Sequence, residues 1–368
     1  MRQILFRIRL DTFWSFDRVQ TVTDEVVTEA PAVGIGALLI PWTLLVAWWL
    51  IGSIRRGEPR REQTGHVVFW SVGLAMLLIL WGLAQGGQPG PNWPVFGYGV
   101  CLTAGCLAAG LTAVRRAERC GIPGQLVWDL AWWLILPGLI GARIWYLVQK
   151  HEHVFRDKNS LGERLFAVID FTSGGIVLYG GILAALVSVT WFAWRHRQEC
   201  QPLLLADIVI PSFFLALAFG RLGCFLNGCC WGDPCGLPWA VTFPRDSVPF
   251  NALLVRGLID PGAAGSLPLH PTQVYSALNA LVLSAVTAAV FSAHHRHGQV
   301  MAVGLIAYPL TRLVLERLRN DEAGQFGTAL TVSQWFSLLL LAAGIGFAAW
   351  LARRPTALPS QADSESAS

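Results

Sequence analysis

Nine mostly apolar runs, most of them close to the roughly 20 residues that a helix needs to cross a bilayer, dominate this sequence. A single segment can satisfy its own backbone groups in lipid only as a helix. The charged fraction is 14%, well below the roughly 25% of soluble domains. We therefore predict an all-α integral membrane protein with about nine transmembrane helices, at residues 32–52, 67–84, 95–114, 126–148, 174–194, 203–219, 272–293, 300–316 and 329–352.

Compact basic clusters follow every second apolar run. They consist of Arg55, Arg56, Arg60 and Arg61, of Arg115, Arg116 and Arg119, of Arg195 and Arg197, of Arg296, and of Arg353 and Arg354. Because cytoplasmic loops carry an excess of arginine and lysine, these linkers are predicted to be cytoplasmic. The N-terminus is then outside and the C-terminus inside. The long loops 149–173 and 220–271 lie outside, where they are predicted to form a small head.

The two ends of the chain differ in composition from the spans. In residues 1–30 charged side chains interrupt the apolar ones, which favours an amphipathic segment lying on the membrane surface. Residues 31–90 then contain the first two spans. Residues 353–368 end in a polar stretch and are predicted to be a disordered cytoplasmic tail.

Three arginines are predicted to gather at the outer membrane level, namely Arg143, Arg221 and Arg312. A guanidinium group presents a planar fork of donors that matches phosphate, so the cluster predicts a phospholipid-headgroup site. The alternative is that these arginines only extend toward the interface. Glu316 and Arg319 lie on the same helical face as Arg312, and Glu316 either neutralises Arg312 or takes part in catalysis.

Other polar side chains are predicted at the same level. Tyr98 and Tyr179 either belong to the aromatic belt or donate hydrogen bonds to a lipid. His270 precedes Pro271 at the start of a span and is either structural or functional. Gly180 and Gly181, like Gly220 and Gly223 around Arg221, would let helices or a headgroup approach closely.

Four cysteines, Cys224, Cys229, Cys230 and Cys235, lie in the stretch "FGRLGCFLNGCCWGDPCG" at 219–236, predicted to face the outside. An oxidising compartment permits disulfides there, and sequence cannot choose among their pairings. Thiols and a metal site remain alternatives, although the spacing differs from that of structural zinc sites. Cys101 and Cys106 are read as small core residues, and Cys120 and Cys200 as reduced cytoplasmic thiols.

"GRLGCFLNGCCWG" resembles the signature of the prolipoprotein diacylglyceryl transferase family, which reads G-R-x-G-N-F-x-N-x-E. The segments "PVFGYG", "GARIWYLV", "GGIVLYGG", "HPTQVY" and "YPLTRLVLERLRND" resemble further motifs of that family in the order it uses. The resemblance covers about residues 94–352 and seven of the nine spans. Seven is the number of spans in the family, with the N-terminus outside and the C-terminus inside.

The resemblance implies an enzyme of the bacterial cytoplasmic (inner) membrane. It would transfer the diacylglyceryl group of phosphatidylglycerol to the lipobox cysteine thiol of exported prolipoproteins, the first step of lipoprotein maturation. Its partners would be phosphatidylglycerol, prolipoprotein signal peptides and the lipid bilayer, with no nucleic acid. No cofactor and no metal are expected.

The resemblance also assigns residues to roles. The catalytic candidates are Arg221, Arg312, His270, Glu316, Tyr98 and Tyr179. The substrate-binding candidates are Arg221, Arg143, Asn227, Gly220, Gly223, Gln273, Tyr275, Tyr308 and Arg319.

The sequence departs from the family's pattern at four places. Tyr179 replaces a histidine that is a candidate base, and Phe96 replaces a second histidine. Cys224 replaces the first signature asparagine, and Cys229 replaces the signature glutamate. Tyrosine is a poor base near neutral pH, with an ordinary pKa of about 10. The proton of the thiol would then pass to His270, to Glu316 or to the substrate phosphate.

Two other functions stay open on the sequence alone. One is a lipid-binding or altered-specificity paralogue without this activity, which the lost histidine and glutamate would suit. The other is a membrane thiol–disulfide or metal module built on the four cysteines. Loss of arginines should abolish only a lipid-using function, whereas loss of cysteines should abolish only a thiol function.

Overall fold

The computed structural model describes residues 4–9, 15–23, 26–34, 93–156, 160–169, 177–245, 247–293, 296–319 and 330–354, with some single residues between 37 and 52 and at 327 and 328. The chain forms two compact units. The sheet unit comprises residues 1–101, 223–229 and 242–267, and the helical unit comprises residues 102–222, 230–241 and 268–368. Each is described by itself.

Four strands and ten helices are defined in the described residues. The strands are β1 (Ile4–Arg9), β2 (Phe16–Thr23), β3 (Val26–Gly34) and β4 (Trp93–Phe96). The helices are α1 (Gly97–Arg119), α2 (Gly124–Gln149), α3 (His151–Phe155), α4 (Leu161–Ile169), α5 (Leu178–Arg195), α6 (Pro202–Asn227), α7 (Val248–Val255), α8 (Thr272–Ala293), α9 (Gln299–Glu316) and α10 (Val332–Arg353).

The sheet unit contains a four-stranded sheet in the order β2-β3-β1-β4. β2 and β3 pair antiparallel, β3 and β1 pair parallel, and β1 and β4 pair antiparallel. β2 and β3 are rich in valine and threonine, whose branched side chains fit a pleated surface. The short helix α7 is capped by Ser247, whose hydroxyl accepts a hydrogen bond from the Phe250 amide at 3.4 Å.

This sheet corrects the expectation of an all-α fold. The segment 1–30, predicted as an amphipathic surface segment, supplies β1, β2 and most of β3. Strand pairing satisfies the backbone groups of these residues within the protein, so a surface helix is not needed to satisfy them. The location of this segment at the membrane surface remains a prediction.

Six helices in the described residues are long and apolar enough to cross a membrane, namely α1, α2, α6, α8, α9 and α10. They confirm a mostly helical, multi-pass membrane architecture. The predicted span 272–293 coincides with α8, and 126–148 and 300–316 differ from α2 and α9 by one or two residues at their ends. The predicted span 174–194 corresponds to α5, which begins at Leu178.

Several sequence predictions fall outside the described residues. They concern the span 67–84, most of the span 32–52, Arg55 to Arg61, residues 170–176 and the tail from 355 onward.

Glycines bring α2 and α5 into backbone contact within the helical unit. A Cβ added to Gly141 would lie 2.6 Å from the carbonyl oxygen of Gly180, and one added to Gly181 would lie 3.1 Å from the carbonyl oxygen of Gly138. Any larger side chain would push the helices apart, as expected where small residues line a membrane helix interface. The prediction that Gly180 and Gly181 permit close packing is confirmed.

A buried carboxylate joins α6 to the beginning of α9. Asp207, which is fully buried, accepts hydrogen bonds from the backbone amides of Gly298 at 2.6 Å and Met301 at 2.8 Å. Gly298 has a φ of 94° and immediately precedes α9. The carboxylate therefore caps amides that have no partner within α9 and lies at the positive end of the helix dipole.

We expect the Asp207→Ala substitution to destabilise the protein by about 2–3 kcal/mol, because two buried amides lose a charged acceptor. The measurement is the thermal unfolding midpoint of the purified protein in detergent, which should fall. Asp129→Ala is a matched control, because Asp129 accepts a solvent-exposed hydrogen bond from Gln125 within its own helix. Equal midpoints for the two variants would contradict the capping role.

Candidate active site

The centre of the candidate site is a buried ion pair near the end of α9. Nη2 of Arg312 lies 2.8 Å from Oε2 of Glu316, one helical turn later. The side chain of Arg312 is 10% exposed and that of Glu316 is 1% exposed. Burial of both charges is tolerated because they pair with each other and with further polar groups.

The beginning of α10 supplies those further polar groups. Nε and Nη2 of Arg312 donate to the Ser333 hydroxyl at 3.1 and 3.0 Å. The Thr331 hydroxyl donates to Oε1 of Glu316 at 3.2 Å and also accepts from the Gln334 amide, as part of a capping box. The arginine is therefore held in one orientation from two sides.

A cleft of about 350 Å³ opens between α9 and α10 at this ion pair. Arg312 and Ser333 supply polar groups to its lining, and the other lining residues include Tyr308, Phe336, Leu339 and Leu340. The contacts of Arg312 with Ser333 and Glu316 use Nε and Nη2, which leaves Nη1 for a ligand as far as the described residues show. An apolar slot with a guanidinium at one end has the chemistry of a site for an amphiphile carrying an anionic group.

Tyr179 lies beside the same cleft. Its ring stacks on that of Phe336, with ring centroids 5.8 Å apart and an interplanar angle of 24°. The side chain is 43% exposed. The structure therefore places this predicted tyrosine next to the cleft that contains Arg312.

Two further arginines add positive charge around the pair. Arg221 on α6 lies close enough to Arg312 for its charge to act on that residue. Nη1 of Arg319 lies 3.8 Å from Oε2 of Glu316, and the Arg319 side chain is 7% exposed. Two guanidinium groups thus face the Glu316 carboxylate, and Arg221 adds a third positive charge near Arg312. A bound phosphate would neutralise the excess positive charge.

Three distant segments meet at Gly232. Its amide donates to the His270 carbonyl at 3.1 Å, and the amide of Asp233 donates to the Leu318 carbonyl at 3.0 Å. A Cβ on Gly232 would lie 2.5 Å from the Leu318 carbonyl oxygen, 2.6 Å from Cγ2 of Thr272 and 2.7 Å from Cβ of His270. Only glycine fits at this junction, which places the His270 backbone beside the segment that follows Glu316.

His270 belongs to a chain of three aromatic side chains. Nε1 of Trp239 donates to the Tyr275 hydroxyl at 2.7 Å, and that hydroxyl lies 3.3 Å from Nδ1 of His270. Indole can only donate, so the Tyr275 oxygen accepts from Trp239, and its own proton is available for a hydrogen bond to Nδ1 of His270. We propose the tautomer in which Nδ1 of His270 accepts this hydrogen bond and Nε2 is the protonated nitrogen.

Three predicted site residues, Tyr98, Gly223 and Asn227, belong to the sheet unit. Asn227 is the last residue of α6, and Gly228 after it has a φ of 69°. The Cys229 amide donates to the Cys224 carbonyl at 3.1 Å, which closes the helix end as a left-handed cap does. Also in the sheet unit, Gly223 packs on Tyr98, since an added Cβ would lie 2.9 Å from the tyrosine ring.

The two remaining substrate-binding candidates, Gly220 and Gln273, differ in the space around them and in their burial. Gly220 has open space around the position of an added Cβ within the described residues, so the helix-packing explanation is wrong for it. Gln273 is 1% exposed in the first turn of α8.

Arg143 binds a helix end. Its Nε donates to the Val168 carbonyl at 3.0 Å and its Nη2 donates to the Ala167 carbonyl at 2.6 Å, both in the last turn of α4. A cation at a helix C-terminus is favoured by the helix dipole. Of the three arginines predicted to gather, the structure brings Arg221 and Arg312 together and engages Arg143 with α4.

The structure contains no disulfide bond among its eight cysteines, and the sulfur atoms of Cys224, Cys229 and Cys230 lie within 4.8 Å of one another. The choice between disulfide, thiols and a metal site at this cluster therefore stays a prediction. The Cys229 thiol donates to the Cys224 carbonyl at 3.7 Å, a contact that directs Sγ toward backbone.

Cys120 lies between α1 and α2, and Cys200 lies between α5 and α6. Burial raises the pKa of both thiols. A raised pKa lowers the thiolate fraction and so the reactivity of these thiols, and their reduced state stays a prediction.

Sequence reasoning missed Gly232, Ser333, Thr331 and Trp239. The T-x-x-Q pattern at Thr331 is visible in the sequence and could have located the beginning of α10. The other three are recognised only by their neighbours in space.

Membrane-length helices define a multi-pass membrane protein, and a buried arginine–glutamate pair stands at the head of an apolar cleft within it. The family model for prolipoprotein diacylglyceryl transferases matches residues 90–350. The chain belongs to that family.

Three relatives are named phosphatidylglycerol–prolipoprotein diacylglyceryl transferase. That of Sodalis glossinidius is 34% identical over 70% of this chain and 89% of its own length. That of Clostridium tetani is 29% identical over 68% of this chain and 91% of its own length. That of Rhodopirellula baltica is 28% identical over 86% of this chain and 85% of its own length. This last alignment covers more of the chain than residues 90–350, so part of it lies outside the family core.

Proposed function

We propose that this protein transfers the diacylglyceryl group of phosphatidylglycerol to the cysteine thiol of prolipoproteins. The observation that carries the proposal is the Arg312–Glu316 pair at the head of the cleft between α9 and α10, with Arg221 close by. Family membership and the names of the relatives support the same reaction. The second substrate would be a prolipoprotein signal peptide.

We place the protein in the bacterial cytoplasmic membrane with about nine spans, the N-terminus outside and the C-terminus inside. The alternation of basic clusters along the sequence supports this orientation. Residues 94–352 would form the transferase core, and the first two spans would be an addition to it. Arg312 and His270 would then lie toward the outer side, where exported substrates arrive.

The reaction breaks the bond between a glyceryl carbon of the lipid and a phosphate oxygen, and forms a carbon–sulfur bond. Glycerol 1-phosphate leaves, and negative charge grows on its phosphate in the transition state. Arg312 and Arg221 would stabilise that charge, because pre-oriented donors in a site shielded from water need little reorganisation. The acyl chains would lie along the apolar lining that Phe336, Leu339 and Leu340 contribute.

Glu316 is suited to hold Arg312 rather than to take the thiol proton. One of its oxygens faces Arg312 and the other accepts from Thr331. Both oxygens therefore face protein groups, and Glu316 is not among the residues that line the cleft. We therefore assign Glu316 as a positioning residue for the arginine.

His270 is suited to donate rather than to accept. In the proposed tautomer its Nε2–H can hydrogen-bond to the leaving phosphate, while the proton of the thiol passes to the phosphate of the substrate. Tyr179, at the position of the family's histidine, would contribute a hydroxyl donor beside the cleft. Asn227 would keep the substrate-binding role, and Tyr98 the catalytic role, that the resemblance assigns.

Complementation tests the proposed function. A bacterial strain depleted of its own diacylglyceryl transferase should grow when it expresses this protein. Mass analysis of a reporter lipoprotein should show the added diacylglyceryl group. An unmodified reporter, with the protein correctly inserted and intact, would contradict the proposal.

We expect Tyr275→Phe to lower kcat by about tenfold or more, because His270 loses the hydroxyl that orients its ring. Trp239→Phe should act in the same direction and more weakly. The measurement is the lipidation rate across pH at saturating lipid, which separates kcat from KM. Tyr146→Phe is a control, since the contact of Tyr146 with Arg143 uses its ring face. A wild-type kcat for Tyr275→Phe would contradict the assigned role.

A further inference from the structure

A second apolar groove lies between α9 and α10. It begins at Arg296, which precedes α9, whereas Arg312 lies near the end of that helix. Its volume is about 460 Å³, and its lining includes Ala302, Val303, Ile306, Ala348, Leu351 and Ala352. The alanines leave the space that larger side chains would fill. The surface of the groove is almost entirely apolar except where Arg296 and Gln299 close one end.

Arg296 lines that end of the groove and lies beside the backbone at the end of α10, where Arg353 and Arg354 follow one another. Nη1 of Arg296 lies 3.4 Å from the Leu351 carbonyl oxygen and 3.5 Å from that of Arg354, at the end of α10. The guanidinium of Arg354 covers the ring of Trp350 at 3.8 Å from the ring centroid. Arg353 is the neighbouring residue. An apolar groove that ends in a cluster of cations complements a molecule with a long hydrocarbon part and an anionic head.

The position of the groove identifies the leaflet. From Gln299 to Arg312 the helix rises about 20 Å, at about 1.5 Å per residue. That distance is a large part of the roughly 30 Å hydrocarbon core. A headgroup at Arg296 therefore belongs to the leaflet opposite to the one that a headgroup at Arg312 occupies.

We propose that the groove between α9 and α10 at Arg296 binds one anionic diacyl phospholipid of the opposite leaflet. One acyl chain lies along the alanine-lined groove, and the phosphate accepts hydrogen bonds from Arg296 and Arg354. We expect that this lipid is not consumed, because its phosphate at Arg296 lies about 20 Å along the helix from Arg312. The proposal concerns binding and does not depend on the proposed transferase activity.

Native mass spectrometry of the full-length protein in detergent, titrated with phosphatidylglycerol, measures each bound lipid. The charge variant Arg296→Gln/Arg354→Gln should weaken binding of one lipid by about tenfold or more, the scale of a lost charge-assisted hydrogen bond. The groove variant Ala348→Phe should weaken the same binding step without changing any charge. Because the two variants change different residues in different ways, the test remains valid if one of them fails to fold.

Arg197→Gln is the matched control, because Arg197 also covers a tryptophan ring, that of Trp194 at 5.0 Å, away from the groove. It should bind lipid as the wild type does. The proposal would be overturned by unchanged lipid binding in the charge and groove variants. Equal loss in Arg197→Gln, or equally tight binding of zwitterionic phosphatidylethanolamine to the wild type, would also overturn it.

Discussion

Replacing Arg312 with alanine is expected to lower the lipidation rate by about 10²–10³-fold or more, the usual cost of removing a donor that stabilises transition-state charge. Two effects act together. The leaving phosphate loses a guanidinium, and Glu316 remains buried without its closest cation. The measurement is diacylglyceryl transfer to a lipobox peptide by the purified variant.

Arg312→Lys separates these two effects. Lysine keeps the charge that pairs with Glu316, but it lacks the fork that contacts both the carboxylate and Ser333. It should therefore retain more folded protein than alanine while remaining much slower than wild type. Arg317→Ala, on the next helical position after Glu316, serves as a control for loss of a nearby positive charge. Equal rates for Arg312→Ala and Arg317→Ala would contradict the central role of Arg312.

Gly232→Ala is expected to have the second large effect. The added methyl group would overlap the Leu318 carbonyl, Thr272 and His270 together, and two of these contacts involve backbone or a Cβ that cannot rotate away. Overpacking of this kind costs about 1–3 kcal/mol. Because the displaced atoms flank His270 and the segment after Glu316, we expect activity to fall about 100-fold, as when reacting groups are misplaced by about 1 Å.

Gly236→Ala is the matched control for this substitution. Gly236 lies four residues further along the same loop, and an added Cβ would meet open space among the described residues. Both variants should be compared by thermal midpoint and by lipidation rate. Similar behaviour of the two variants would refute the junction at Gly232.

The membrane helices were the most predictable part of the fold. Each is encoded by a continuous apolar run, so a local count of side chains suffices, and for α8 the predicted and observed bounds agree. The sheet could not be recognised in the same way. Its strand order brings β1 beside both β3 and β4, and β4 lies more than 80 residues later in the sequence. Pairing between such distant segments leaves no local periodicity strong enough to be recognised.

The candidate site shows the same division. The spacing of Arg312 and Glu316 predicts a pair on one helical face, and the structure contains it. The partners that orient the pair, Ser333 and Thr331, come from another helix and were missed. Arg143 shows the converse limit, because a sequence can place an arginine at a membrane level without identifying the carbonyl groups it will bind.

The cleft beside Arg312 is bordered by apolar side chains that are exposed on the outside of the helices. Phe336 is 54% exposed and Leu339 is 67% exposed. In a bilayer such surfaces face lipid, so the lipid substrate would enter sideways rather than from water. The quantity that governs occupancy is then the fraction of membrane lipids carrying the correct headgroup, rather than a bulk concentration. Saturation would become a property of the membrane's composition, and a cell could change the flux through this protein by altering its lipid mixture.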